Sequence, residues 1–309
     1  MTEPRGEFAF IRWIRSQLAS DDSRVSIGVG DDMAELRLPD GGRVLVGTDT
    51  ILDGTHFDSR RDRLADVGWK ALAENLSDVA AMAAVPVGAV GTLAVPRDFT
   101  AEQGRELFAG LKRCADEFQC SWVGGDITSW DQRLAITVTV LAHAERPVRR
   151  SGARVGQCVF VTGRLGGSLL GRHLTFRPRI AEARRLAETV RLGAMIDVSD
   201  GLSSDVGHIC RESGVGVRIE AARVPVSDAA EQMAARDGRS PLDHALNDGE
   251  DFELLFTVDE ADVAKVLDLD LGVEVTQVGR IVEIAQGSTI VDSQGRATEL
   301  KPGGYEHWR

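Results

Sequence analysis

The 309-residue chain has no run of about 18 consecutive apolar residues, which excludes an ordinary membrane-spanning helix. Its first stretch, Met1 to Leu18, carries charges throughout and lacks the apolar segment of a secretory leader. Cysteine is scarce and scattered: Cys114, Cys120, Cys158 and Cys210 form no C-x-x-C pair. That spacing argues against a disulfide framework or a zinc ribbon, and the expectation is reduced thiols in a cytoplasmic protein. Positive charge is also in short supply, the formal net charge being −12. A nucleic-acid binder would show a basic stripe instead. Neither G-x-x-x-x-G-K-[ST] nor G-x-G-x-x-G occurs, so the P-loop and dinucleotide fingerprints are missing. There is no short-period repeat and no low-complexity tract.

What the chain has instead is aspartate at the edges of its apolar segments. Val44-Leu45-Val46 reads as a short strand ending in Gly47-Thr48-Asp49-Thr50, with His56 a few residues on. Asp31 and Asp32, Asp78, Asp126, Asp197 and Asp200, and Glu250 and Asp251 sit in similar places, beside Gly, Ser or Thr. Such clusters are ordinarily turns, because Asp bonds to its own backbone there. Their number, and their position at strand ends where α/β proteins gather ligands, favour a hard-cation site. Mg²⁺ takes oxygen ligands, one or two carboxylates with phosphate oxygens and water. An acidic protein can then bind an anionic nucleotide, the metal bridging the two.

The length and the 43% hydrophobic content fit two globular domains. Helical spacing marks Gly6 to Leu18 and Asp66 to Ala84, the second carrying Asn75 and Asp78 on one face. Asp78 on that apolar helix either faces a cleft or is neutralised by solvent or Lys70. Strands are expected at Val87 to Val95, Leu134 to Leu141, Cys158 to Thr162, Met195 to Val198, Val215 to Ile219, Leu254 to Val258, Val273 to Val278 and Thr289 to Val291. Thr100 with Gln103 reads as a capping box. Gly124-Gly125-Asp126 reads as a turn, and Gly163 to Gly167 as a turn leading into a helix. Arg146, Pro147, Arg149 and Arg150 mark a boundary, giving domains 1–147 and 148–309. Alternating strands and helices make the class α/β or α+β.

The ordered blocks resemble the thiamine-monophosphate kinase family, within the superfamily of aminoimidazole ribonucleotide synthetase and selenophosphate synthetase. They are Gly6-Glu7-Phe8, Gly30-Asp31-Asp32, Thr48-Asp49-Thr50, Gly54-Thr55-His56-Phe57, Lys70 to Met82, Gly124-Gly125-Asp126, Arg150-Ser151-Gly152-Ala153, Val161-Thr162-Gly163, Ile196 to Leu202, Gly249 to Leu254 and Gly304 to Trp308. The resemblance implies direct in-line transfer of the ATP γ-phosphoryl to thiamine monophosphate, the last step in making thiamine diphosphate. It implies several Mg²⁺ ions and a homodimer whose N-terminal mixed sheets join into a barrel, beside a C-terminal sheet packed with helices.

By motif position it implies Mg²⁺ on Asp32, Thr48, Asp49, Asp78, Asp126, Asp197 and Asp200. It places ATP on Gly125, Asp126, Arg150 and Ser199, and thiamine monophosphate on His56, Glu250 and Trp308. No residue is expected to act as general base, since a phosphate monoester with a second pKa of about 6 is already ionised at neutral pH. Four departures stand out: Gly47 for a serine, Asp248 for a glycine, Ile127 for a threonine, and a short segment from Gly171 to Pro178. Two rivals remain. A selenophosphate synthetase needs a reactive N-terminal cysteine, and none precedes Cys114. A non-catalytic Mg-nucleotide sensor would not need so many metal ligands.

Overall fold

A computed structural model describes residues 6–18 and 22–305. Two sheets organise the chain. The first has order β1-β2-β3-β6-β4-β5, built from β1 (Val25–Ile27), β2 (Ala34–Arg37), β3 (Arg43–Leu52), β4 (Val85–Pro96), β5 (Ser121–Trp130) and β6 (Ala135–His143). Only the β4–β5 pairing in it is parallel. Helices α1 (Glu7–Gln17), α2 (Leu64–Ala81) and α3 (Ala101–Glu117) accompany it. The second sheet comprises β7 (Cys158–Thr162), β8 (Leu192–Asp197), β9 (Gly216–Glu220), β10 (Leu254–Val258), β11 (Val275–Val282), β12 (Ser288–Val291) and β13 (Ala297–Glu299). Its order is β13-β12-β9-β11-β7-β10-β8. The remaining helices are α4 (Ile180–Thr189), α5 (Leu202–Ser213), α6 (Asp228–Asp237), α7 (Pro241–Asn247) and α8 (Val263–Leu267). The molecule is therefore a two-sheet α/β protein.

α2 is the element between the sheets. It is apolar almost all round, as a helix buried on most sides must be, and it contacts β3, β6 and β8. Only Glu74 and Asp78 among its last nine residues are not fully buried. One hydrophobic cluster runs through both halves, from Leu72 and Leu76 to Phe160 and Phe256. A second, around Val206, Ile209 and Ile219, lies within the C-terminal half.

α2 and α3 pack backbone to backbone. A Cβ on Gly110 would stand 1.6 Å from the Ala65 carbonyl oxygen, and one on Gly68 would stand 1.9 Å from that of Leu107. Gly110→Ala must therefore push the helices apart and open the core beneath them. The expected cost is about 2–3 kcal/mol, a fall in Tm of roughly 5 °C or more. Calorimetry showing an unchanged Tm would refute the close crossing.

The capping box forms as expected, Thr100 Oγ1 accepting from the Gln103 N–H at 3.2 Å and the Gln103 side chain accepting from the Thr100 N–H at 2.8 Å. Two expectations fail. Gly124-Gly125-Asp126 is no turn but the middle of edge strand β5. Glycine suits that place because a Cβ on Gly125 would stand 2.0 Å from the Gly91 carbonyl oxygen of β4. Gly163 to Gly167 leads not into a long helix but into two short 3₁₀ turns, Ser168–Leu170 and Arg172–Leu174. Gly167 opens the first and Gly171 separates the two, both at positive φ. The four cysteines are free and buried. Among the described residues no helix is long and apolar enough to cross a membrane.

Candidate active site

The strand ends and α2 meet at one cavity of about 250 Å³. One wall is acidic: Asp49 from β3, Asp78 from α2, Asp197 from the end of β8, and Asp200 just beyond it. The other is apolar and aromatic, with Leu169, Phe252 and Tyr305. His56, Ser199 and Glu250 also line it, with Thr50, Thr55, Glu74 and Asp248.

Carboxylate oxygens of Asp32, Asp78 and Asp197 lie within 4.8 Å of one another. Burial first, then the charges of Asp49, Asp197 and Asp32, push the Asp78 carboxyl well above the ordinary range. Burial, followed by Asp32, raises that of Asp197 to about 7. Asp49 is raised by burial and is hydrogen-bonded to the Asp78 carboxyl, so the pair shares a proton when no cation is present. Ser77 Oγ donates to Asp197 at 2.6 Å. Arg150 bonds Asp32 Oδ1 at 2.7 and 3.2 Å, and its N–H donates to Asp31. The second oxygen of Asp32 is buried with no hydrogen-bond partner. Crowded, hard, proton-sharing oxygens with one left orphaned fit a divalent cation of the Mg²⁺ kind and could hold one. A second group, Asp200 with Asp205 and His208, also has its ligand atoms within 4.8 Å.

Glu250 is set by its backbone and by a buried cation. It has φ 54°, and Phe252 has φ 50°, values that non-glycine residues rarely adopt. The loop is pinned there because the Glu250 and Phe252 N–H groups donate to the Ser199 and Val198 carbonyls at 2.6 and 2.7 Å. Lys70 Nζ, wholly buried, sits 2.7 Å from Glu250 Oε2 and 3.1 Å from Glu74. His173 Nδ1 approaches the same Glu250 oxygen at 3.0 Å. Burial alone would raise the Glu250 carboxyl, but His173 and Lys70 outweigh it and hold it below the usual range. Burial dominates at Glu74 and lifts it to about 8 despite Lys70. Lys70 is thus not the partner of Asp78 that its sequence position allows.

The site residues expected from sequence do not all meet. Asp32, Asp49, Asp78, Asp197, Asp200, Ser199, His56, Glu250 and Arg150 gather at or beside the cavity. Thr48 points to the opposite sheet face from Asp49, as adjacent strand residues must. Its hydroxyl bonds the Val138 carbonyl and Thr139 at 3.0 and 2.9 Å. Gly125 and Asp126 lie on β5, three strands from β3, or about 14 Å at ordinary strand spacing. Within this chain they are not beside the aspartate cluster. Trp308 lies outside the described residues.

Two departures find a structural role. Asp248 accepts from the Gly167 N–H at 3.0 Å and lies 2.9 Å from His244 Nδ1 and 3.1 Å from Arg239. It ties α7 to the 163–167 turn. The short 171–178 segment supports the apolar wall and Glu250 through Phe176, which stacks on Phe252 with ring centroids 4.0 Å apart, and through His173. Sequence reading missed Lys70, Glu74, Leu169, His173, Phe252 and Tyr305 as site residues. The signal for the first two was present: Lys70, Glu74 and Asp78 are four apart on an otherwise buried helix. Nothing local marked His173 or Tyr305.

The chain is similar to known proteins over nearly all of its length. The model for "AIR synthase related protein, N-terminal domain" matches residues 30–144, and that for its C-terminal domain matches 149–292. The chain is 42% identical over 283 residues to the thiamine-monophosphate kinase of Rhodopirellula baltica, covering 89% of each. It is 32% identical to that of Aquifex aeolicus, covering 98% of each. The solved structure "AaThiL complexed with AMPPCP and TMP" superposes with a TM-score of 0.83 at 30% identity, covering 98% of this chain and 97% of that one.

Proposed function

We propose, because this chain belongs to the thiamine-monophosphate kinase family, that it transfers the γ-phosphoryl of ATP directly and in line to thiamine monophosphate in the cytoplasm, giving thiamine diphosphate. The convergence of Asp32, Asp78 and Asp197 beside a cavity with an aromatic wall carries this reading. Asp32, Asp49, Asp78 and Asp197 would hold Mg²⁺, with Asp200 on a further ion. When bound, Mg²⁺ neutralises charge on the transferring phosphoryl group. The protein's own part is positioning, since the acceptor phosphate is ionised near neutral pH and needs no general base. Arg150 and Ser199 contact ATP. His56 and Glu250 orient the acceptor, whose cationic thiazolium ring lies against Phe252 and Tyr305, with Trp308 as a further stacking partner.

With its hydroxyl engaged by Val138 and Thr139, Thr48 would have only its backbone carbonyl to offer a metal. Gly125 and Asp126 join an active site through a homodimer. The face of the first sheet turned away from α2 exposes Val85, Val87, Val90 and Leu141, an apolar surface suited to a second copy. Barrel closure across that face would carry β5 of one subunit toward the other subunit's strands. Domain 1–147 then supplies the dimer contact and most of the ATP and Mg²⁺ groups, and domain 148–309 the substrate and nucleotide groups, with Asp197 and Asp200 completing the metal set from the second.

Incubation with γ-labelled ATP and thiamine monophosphate tests the proposal. Labelled thiamine diphosphate is expected with Mg²⁺ and none with EDTA. ATP binding without labelled product would instead favour a nucleotide sensor.

A further inference from the structure

A cavity of about 810 Å³ lies away from the acidic cleft. Arg146 and Arg149 line it from the connection between the sheets, and Arg191 and Lys265 from the C-terminal half. Leu192 at its rim and Asp197 in the acidic cleft are opposite ends of β8, roughly 16 Å apart at the rise of a strand. The volume falls within the range of small-molecule sites.

Its charge balance runs against that of the protein. Most arginines here are ion-paired, as expected at a net charge of −12. Arg146 and Arg149 have no ion-pair partner among the described residues, and Arg191 has only the distant charge of Asp259, which is already held by Arg154. The two acids on the wall are engaged: Glu188 lies 3.8 Å from Arg184 and Asp262 2.7 Å from Lys265. Three uncommitted guanidinium forks thus face one concavity, where field lines of one sign are focused. A planar fork matches the paired oxygens of a phosphate.

We infer that this groove binds the diphosphate group of a small phosphorylated anion, independently of the metal-dependent cleft. The connection is fixed to both halves, Val148 N–H donating to the Met82 carbonyl and Met195 N–H to that of Arg149. An anion bridging Arg149 and Arg191 therefore ties the interdomain connection to the strand that ends in Asp197.

Inorganic diphosphate titrated calorimetrically into the full chain, in EDTA at low ionic strength, tests this. Without metal the acidic cleft repels the anion and only the groove attracts it. Saturable binding is expected, weakened about tenfold or more in the Arg149→Ala/Arg191→Ala double variant and unchanged in Asp49→Asn. ADP and thiamine diphosphate, titrated the same way, show which bearer of the group is preferred, and each should weaken in the double variant. No saturable binding by the unaltered chain would overturn the inference. So would equal affinity in the double variant with an unchanged melting profile, or loss of binding in Asp49→Asn.

Discussion

Asp78→Asn is expected to lower phosphoryl transfer at least about 100-fold while raising the Tm of the metal-free protein. The two effects have one cause. The Asp78 carboxylate is buried against Asp49, Asp197 and Asp32, an arrangement that costs stability until a cation occupies it. An amide retains a hydrogen bond to Asp49 and removes the repulsion, and with it a metal ligand. Burial of carboxyl groups in and around the cleft sets the pH dependence. Asp31, Asp197, Asp251 and Glu74 are raised to about 6, 7, 7 and 8, burial being the first cause in each. The folded chain keeps these protons at pH values where the unfolded chain has released them. Their contribution to stability is full below about pH 4 and is lost as pH rises toward 8. Melting in EDTA should therefore show a falling Tm over that interval, with a shallower slope in Asp78→Asn and recovery on adding Mg²⁺. A lower Tm in the metal-free variant, or near-normal turnover, would remove the metal-site reading.

Lys70→Met should raise the KM for thiamine monophosphate about tenfold and leave that for ATP within about twofold. Its ammonium holds Glu250 at 2.7 Å and Glu74 at 3.1 Å. Removing it leaves Glu74 without its cation and Glu250 with His173 alone, at a cost of about 3 kcal/mol. A second variant separates misfolding from lost positioning. With Glu250→Gln already present, Lys70→Met should add little to the KM, because its main partner has gone. Additive effects in the double variant, or equal shifts in both KM values, would show that Lys70 acts only on stability.

The elements were largely legible because their signals are local. The capping box at Thr100, the alternation along β6 and the three-and-four spacing of α2 each depend on residues within one turn or one strand. The strand at Gly124-Gly125-Asp126 was misread for the same reason. Two glycines and an aspartate are a turn by local preference, and only the approach of β4 makes glycine fit a strand there. His173 was invisible because its link to Glu250 spans 77 residues of chain.

By itself the sequence determined the inventory: oxygen donors in place of thiols and imidazoles, set where apolar segments end, in blocks ordered as in one family of kinases. Tertiary structure alone decided which of those donors meet. Strand order brings Asp32, Asp78 and Asp197 within 4.8 Å while leaving Asp126 three strands away. The two-residue period of β3 sends Asp49 to the cleft and Thr48 to the opposite face. Spacing along a chain cannot express either outcome, because both follow from pairing between segments that sequence leaves far apart.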